Sequence, residues 1–145
     1  MSIFVLSTGG MLNIAGTISG TPNLRLFGTA ATDGTRLTGQ IAIAGTTFVS
    51  SGTLLLDNNL VDAAITGATV VVGDSVTAAT LRLAQPSEIS NSTHVRVTQN
   101  STFDVAGQND VIDALTIEHL GRAVRGAQDD VHLLPVVEQR RHPGE

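Results

Sequence analysis

Between residues 12 and 118 the chain consists of short runs that alternate apolar and polar residues, with Gly, Thr, Ser, Asn and Asp between them. Alternation with a period of two is typical of half-buried β-strands, and no stretch shows the 3.6-residue period of an amphipathic helix. The pattern predicts strands within residues 12–18, 24–30, 35–45, 47–57, 63–73, 79–85, 93–107 and 112–118. The chain is therefore expected to be all-β.

Two architectures contain so many short strands: an antiparallel sandwich or barrel, and a parallel solenoid in which each turn stacks on the one before. Antiparallel hairpins favour two-residue turns such as Asp-Gly, and Asp33-Gly34 alone fits that description. The other breaks are Gly-Thr or Thr-Gly pairs, as at residues 16–17, 45–46 and 66–67. Glycine at such points suits the corners of a solenoid, so the punctuation favours a parallel β-solenoid.

An internal similarity supports the repeat interpretation. When residues 51–66 are laid beside residues 100–116, five pairs coincide, namely Thr53 with Thr102, Leu56 with Val105, Val61 with Ile112, Asp62 with Asp113 and Thr66 with Thr116. A chance match within β-rich sequence of low complexity is the alternative explanation.

The character of the sequence changes at His119. The residues beyond it contain no Ser or Thr but include Arg122, Arg125, Arg140 and Arg141, half of the eight basic residues of the chain. We therefore predict a β-solenoid region over residues 1–118 and a non-repeat tail over 119–145. The tail is interpreted either as a cap over the last turn or as a chance extension, with poor order expected towards its end.

Composition narrows the class of function. Of the 145 residues 41% are hydrophobic but only 3% are aromatic, which suits thin repeated layers better than a globule. The net charge of -5 argues against nucleic-acid binding, which needs a basic face, and the four Phe are scattered, so no base-stacking platform is evident. The chain has no Cys, so disulfides and thiolate metal sites are excluded.

The sequence shows neither a signal peptide nor a membrane-spanning helix. The first apolar run covers only residues 3–6 and no basic residue precedes it. No apolar stretch approaches the roughly 18 residues that a spanning helix needs. An export signal is therefore expected to lie outside this chain. The chain has no Lys, a residue that often protects exposed strand edges from pairing, and this fits an internal fragment of a longer protein.

Four segments carry a resemblance to a known family: GTTFVSSGTLLLDNN (45–59), AAITGATVVVGD (63–74), ATLRLAQPSEISNSTHVRVTQNSTFDVAGQND (79–110) and VIDALTI (111–117). Together they resemble the degenerate repeats of autotransporter passenger regions and related bacterial adhesins. The resemblance covers residues 12–117 and implies a right-handed parallel β-helix that a bacterium secretes or displays on its surface. Phe103 and Val105 depart from the usual Leu pair, and the tail after His119 matches nothing in the family.

Candidate chemistry is sparse. His94, His119, His132 and His142 have no partners at metal-ligand spacing, and His94 is expected to face outward beside Arg96. The Asp residues mostly stand singly at strand ends, where Asp bonds nearby backbone; the exceptions are Asp104, Asp110 and Asp113, with Asp62 and Asp113 as a candidate stacked pair. Arg25, Arg82 and Arg96 lie between apolar residues and are expected on solvent-facing strand positions, as a solvated face or as an outward ladder for acidic glycans.

The resulting functional hypothesis is a non-catalytic structural or adhesive segment of a bacterial surface-exposed or secreted repeat protein. Its expected partners are host or matrix glycans or proteins and neighbouring repeats of a longer parent chain, without nucleic acid, cofactor, metal or direct membrane insertion. The alternative is a fragment of a β-helix polysaccharide-active enzyme, a lyase or hydrolase, which would need a carboxylate cluster on one face.

Overall fold

A computed structural model describes residues 2–59, 64–74, 77–118 and 121–124, and these residues coil into a parallel β-solenoid. The strands are β1 (Ser2–Ser7), β2 (Met11–Ile14), β3 (Thr17–Gly20), β4 (Asn23–Gly28), β5 (Gly34–Leu37), β6 (Gln40–Ile43), β7 (Thr46–Val49), β8 (Gly52–Leu56), β9 (Thr69–Val72), β10 (Ala79–Leu83), β11 (His94–Val97), β12 (Thr102–Asp104), β13 (Ala114–Ile117) and β14 (Arg122–Val124).

Successive turns contribute their strands to three faces. Sheet A has the order β1-β4-β7-β9-β11-β13, and sheet B has the order β2-β5-β8-β10-β12-β14. Sheet C contains β3 and β6 and continues through single parallel bridges from Ile41 to Ile65 and from Ile65 to Ile89. Every pairing between the described strands is parallel, so the predicted all-β parallel solenoid is confirmed.

The core is a set of apolar columns inside the coil. One column on sheet A contains Ile3, Leu24, Thr47, Val70, Val95 and Leu115, which are 20 to 25 residues apart. On sheet B the spacing between successive turns ranges from 19 to 27 residues. Because alternate strand residues point inward, the same alternation in each turn places Leu, Ile and Val above one another. One turn buries too little apolar surface to be stable alone, and its stability therefore comes from its neighbours.

The corners explain why several predicted runs are longer than the strands. Residues 35–45 divide into β5 and β6, and residues 47–57 divide into β7 and β8. At the first residue of β5, Gly34 has a φ of 158°, and a Cβ placed there would lie 1.8 Å from the backbone oxygen of Thr53 in the next turn. Glycine is required at this point because the two turns approach too closely for any side chain.

The structure differs from two of the sequence-based predictions. Strand β1 was missed because its outward positions, Phe4 and Leu6, are apolar, so residues 2–7 show no polar alternation.

In the internal similarity, Thr53 and Thr102 do share a column, through Thr80. Thr66 and Thr116 do not, since Thr66 follows the sheet C bridge at Ile65 whereas Thr116 lies on sheet A. Val61 and Asp62 lie outside the described residues.

Within the predicted tail, the structure describes residues 121–124 only. They include β14, which pairs with β12 and so extends sheet B past residue 118. The boundary at 118 and the nature of the remaining tail stay predictions. The described residues contain no helix with the length and hydropathy required to cross a membrane.

Replacing Gly34 by Ala should destabilise the solenoid strongly. The added Cβ would collide with the backbone of Thr53, and the turns would have to separate, at a cost of about 3 kcal/mol or more. The control is Gly16→Ala, because an added Cβ there meets no atom within 4 Å. Urea unfolding followed by circular dichroism should show a lower midpoint for the first variant alone. Equal midpoints would contradict the close approach.

Replacing Thr47 by Val should stabilise the protein. The Oγ1 of Thr47 is buried in the sheet A column and has no hydrogen-bond partner among the described residues. Removing an unsatisfied hydroxyl at nearly constant volume should raise the free energy of unfolding by about 1 kcal/mol, and Tm by about 2–6 °C. In the control, Thr93→Val, the lost hydroxyl donates to the carbonyl oxygen of Gly67 at 2.6 Å, so stability should fall. Scanning calorimetry would test both.

Candidate functional site

The outer face of sheet A is aromatic at its N-terminal end. Phe4 on β1, Phe27 on β4 and Phe48 on β7 occupy outward positions there, together with Arg25 and Leu6. The register places Phe4 beside Arg25 and Arg25 beside Phe48, while Phe27 lies diagonally from Phe4. We call these five residues the aromatic patch. Sequence reasoning treated the Phe as scattered, and this was wrong for three of the four.

The side chains of the aromatic patch contact each other across the turns. The Phe4 and Phe27 rings are stacked, with centroids 6.1 Å apart, and the guanidinium carbon of Arg25 lies 4.0 Å from the Phe48 ring centroid. Phe4 is 64% exposed and Leu6 is 62% exposed. Large apolar side chains held in fixed positions on an open strand face can pack against an apolar surface of a partner.

The predicted outward position of the three Arg side chains is confirmed, but they form no continuous ladder. Arg25 and Arg96 lie on sheet A with Phe48 and Val71 between them, and Arg82 lies on sheet B. Each has its own partner. The Nε of Arg82 is 3.8 Å from Asp104, the Nε of Arg96 is 2.5 Å from Glu118, and Arg25 covers Phe48. Positive charge is therefore spread over two faces.

The side chains of Asp33 and Asp57 connect one turn of the coil to its neighbours. Asp33, at the corner before β5, accepts hydrogen bonds from the Thr29 hydroxyl at 2.5 Å and from the Gly9 backbone at 3.1 Å, and the first of these chiefly holds its pKa below the usual range. Asp57 binds Arg36 of the preceding turn and the amide of Gln85 in the following turn. The Arg36 hydrogen bond is the main cause of the lowered pKa of Asp57.

Asp104, Asp110 and Asp113 lie close together in the sequence but do not form one cluster in the structure. Asp104 pairs with Arg82 on the outer face of sheet B, whereas Asp110 accepts backbone hydrogen bonds from Glu88 and Ile89 at 2.9 and 3.0 Å. Asp113 is exposed just before β13, and its suggested partner Asp62 lies outside the described residues. Among the described residues no group of three His, Cys, Asp or Glu side chains could hold a metal ion.

His94 faces outward on the same side of β11 as Arg96, as predicted. Its Nε2 lies 2.8 Å from the Oγ1 of Thr116 on the adjacent strand, so the ring joins two turns. His119, His132 and His142 lie outside the described residues.

A buried carboxyl group, Glu88, was missed by sequence reasoning. Its side chain is 0% exposed beside the core residue Ile89, and both carboxylate oxygens accept the backbone N–H of Asn58 at 3.0 Å. Burial raises the pKa of Glu88 to about 7; the Asn58 hydrogen bond opposes this rise, and the charges of Asp57 and Asp110 add to it. The sequence feature that could have indicated this burial is Ile89, which continues the column of Ile41 and Ile65. Glu88 directly precedes Ile89 and therefore lies at a corner of the coil.

Comparison of the chain with models of known protein families, with curated proteins and with solved structures finds no match.

The buried position of Glu88 predicts that the protein becomes less stable as the pH rises. A group whose folded pKa is raised stabilises the fold below its unfolded pKa, near 4.5, and loses that contribution as the pH passes through about 7. The free energy of unfolding should therefore be about 1–3 kcal/mol lower at pH 8.5 than at pH 5.5. The lowered pKa values of Asp33 and Asp57 place their titration below this window.

Urea unfolding of the wild type, Glu88→Gln and Glu118→Gln at both pH values would test this pH dependence. Glu88→Gln should remove most of the difference, because it leaves no carboxyl group to ionise at the buried corner. Glu118→Gln removes an acidic group from the surface and should keep the wild-type difference. A pH dependence that survives in Glu88→Gln would contradict the assignment.

Proposed function

We propose that this chain is a non-catalytic structural and adhesive segment of a bacterial surface-exposed or secreted repeat protein of the autotransporter passenger type. The resemblance of residues 12–117 to passenger repeats motivates this proposal, and the parallel β-solenoid is the architecture that the resemblance implied. A coil of this kind presents long, regular outer faces, which suits a stalk or a display surface.

The observation that carries the proposal is the use of charged side chains to connect turns. The three ion pairs among the described residues are Arg36–Asp57, Arg82–Asp104 and Arg96–Glu118. Each Arg lies on a strand, and its partner lies on the neighbouring strand of the same sheet or directly after that strand, so each pair joins two consecutive turns. Asp33 and Asp110 likewise accept backbone hydrogen bonds from a neighbouring turn. Charge placed in this way reinforces a rod along its axis, which is the requirement of a scaffold.

The adhesive part of the proposal rests on the aromatic patch. Phe4 and Leu6 are exposed and the rings of Phe27 and Phe48 are half-buried beside them, so the patch offers apolar contact area at low conformational cost. Such surfaces suit the apolar faces of sugars or the side chains of another protein. We therefore propose host or matrix glycans or proteins as its partners. The net charge of -5 favours these over nucleic acid.

The proposed site of action is the bacterial cell surface or the medium, and neighbouring repeats of a longer parent chain are proposed to continue the rod. The support is the family resemblance together with the repetitive core. We propose no direct membrane insertion by this segment.

Adhesion can be tested with the purified chain coupled to beads and applied to epithelial cells, matrix proteins and an immobilised glycan panel. The variant Phe27→Ser/Phe48→Ser removes two rings of the aromatic patch and should lower bead retention at least about tenfold, since each lost aromatic contact is worth about 1 kcal/mol. The control Leu55→Ser changes a half-buried outward residue of sheet B, on a different face from the patch, and should retain wild-type adhesion.

A parallel assay should incubate the same protein with acidic and neutral polysaccharides and measure new reducing ends and unsaturated uronate absorbance. No turnover is expected. Reproducible cleavage that follows the purified chain would overturn the non-catalytic proposal in favour of a polysaccharide-active enzyme. Equal bead retention by the wild type and the double variant would remove the adhesive role of the patch.

A further inference from the structure

The guanidinium group of Arg25, inside the aromatic patch, has no acidic partner among the described residues. Arg36, Arg82 and Arg96 each pair with a carboxylate of the neighbouring turn. Arg25 makes no such ion pair, and its guanidinium carbon instead lies 4.0 Å from the centroid of the Phe48 ring. This contact engages a face of the planar guanidinium, whereas the N–H donors lie along its edge. The donors of Arg25 are therefore available to an anion from outside the chain.

The outer face around Arg25 carries no other charged side chain. Strands β1, β4, β7 and β9 lie side by side in sheet A, and Arg25 is the one charged residue within their ranges 2–7, 23–28, 46–49 and 69–72. This isolated positive charge stands in a chain whose net charge is -5. An anion bound at Arg25 would meet one attractive charge and no acidic side chain on these four strands.

Arg25 and Phe48 lie within sheet A rather than at its edge. Strand β4 pairs with β1 on one side and β7 on the other, and β7 pairs with β4 and β9. A further turn of the coil before β1 would pair with β1 and would leave the outer face of β4 and β7 open. Both side chains are half-buried there, held by their neighbours on the face.

We propose that the aromatic patch binds an acidic glycan, with Arg25 binding the carboxylate of a uronic acid residue and the rings of Phe27 and Phe48 packing against the sugar. A guanidinium binds a carboxylate through two parallel N–H to oxygen bonds, which fixes the orientation of the acid. The adjacent rings reduce the access of water to these bonds and so strengthen them. This inference rests on the proposed adhesive function and specifies the ligand of the patch.

A uronic acid fits this surface better than an acidic peptide does. The sugar carries its carboxylate directly on a ring with an apolar face, and the patch places a guanidinium directly beside aromatic rings. An acidic peptide also brings backbone N–H and C=O groups that need partners. The backbone of β4 and β7 is already paired with a strand on each side and offers none.

The first test is a nuclear magnetic resonance titration of the full chain with hyaluronan oligosaccharides, in which uronate carboxylates are the only acidic groups. The matched probe is the same material after its carboxylates have been reduced to alcohols. The wild type should bind the acidic form at least about tenfold more tightly, because reduction removes the charge-assisted hydrogen bonds. The largest shift changes are expected at the Nε–H of Arg25 and at the amides of β4 and β7.

The variant Arg25→Gln should bring the dissociation constants of the two probes close together. Their ratio is the decisive quantity, because an Arg25 that only held Phe48 in place would affect both probes alike. Arg25→Lys keeps the charge without the planar fork and should give an intermediate ratio. The control Arg82→Gln removes the same charge from sheet B and should keep the wild-type ratio. Circular dichroism checks that the variants fold.

Equal binding of both probes by the wild type would overturn the inference, and so would an equal loss of preference in Arg25→Gln and Arg82→Gln. Dextran sulfate and polyglutamate are the competing anions, and binding of either as tight as that of hyaluronan would exclude a uronate site. If the wild type binds no probe while bead retention still depends on Phe27 and Phe48, the ligand is wrong and the adhesive function stands. Bead retention that is independent of both rings would instead contradict the proposed function itself.

Discussion

The parallel stacking of one turn on the next is the interaction on which this structure depends. It pairs the backbone groups of each strand with the turns above and below, and it closes an apolar column that no single turn could bury. The sheet A column from Ile3 to Leu115 shows the result, since its middle members are fully buried and its first member is not. Stability is therefore a property shared between neighbouring turns.

Polar side chains also hold the stacked turns together. Arg36 and Asp57, Arg82 and Asp104, and His94 and Thr116 each connect neighbouring turns on the outside of the coil. Glu88 differs from these residues because two effects on its carboxyl group oppose each other. Burial favours the protonated form, whereas the hydrogen bond from the backbone N–H of Asn58 favours the ionised form. A carboxyl group of this kind makes one corner of the rod sensitive to pH near neutrality.

The two ends of the described chain differ in character. The first turn is uncharged and exposes Phe4, Leu6, Met11 and Leu12, whereas Glu118 and Arg122 stand near the last described turn. The aromatic patch begins at that first turn and continues over two more.

The sequence by itself determined the all-β class, the corners and the inward or outward position of most strand residues, because alternation and glycine placement act over a few neighbouring residues. It did not find β1, whose outward Phe4 and Leu6 conceal the alternation, nor Glu88, whose burial depends on a turn some 30 residues away. Tertiary structure alone brought Phe4, Phe27 and Phe48 together and placed Arg82 on a different sheet from Arg25 and Arg96. The physical reason is that turn lengths vary between 19 and 27 residues, so sequence spacing does not reveal which side chains share a column until the strands have paired.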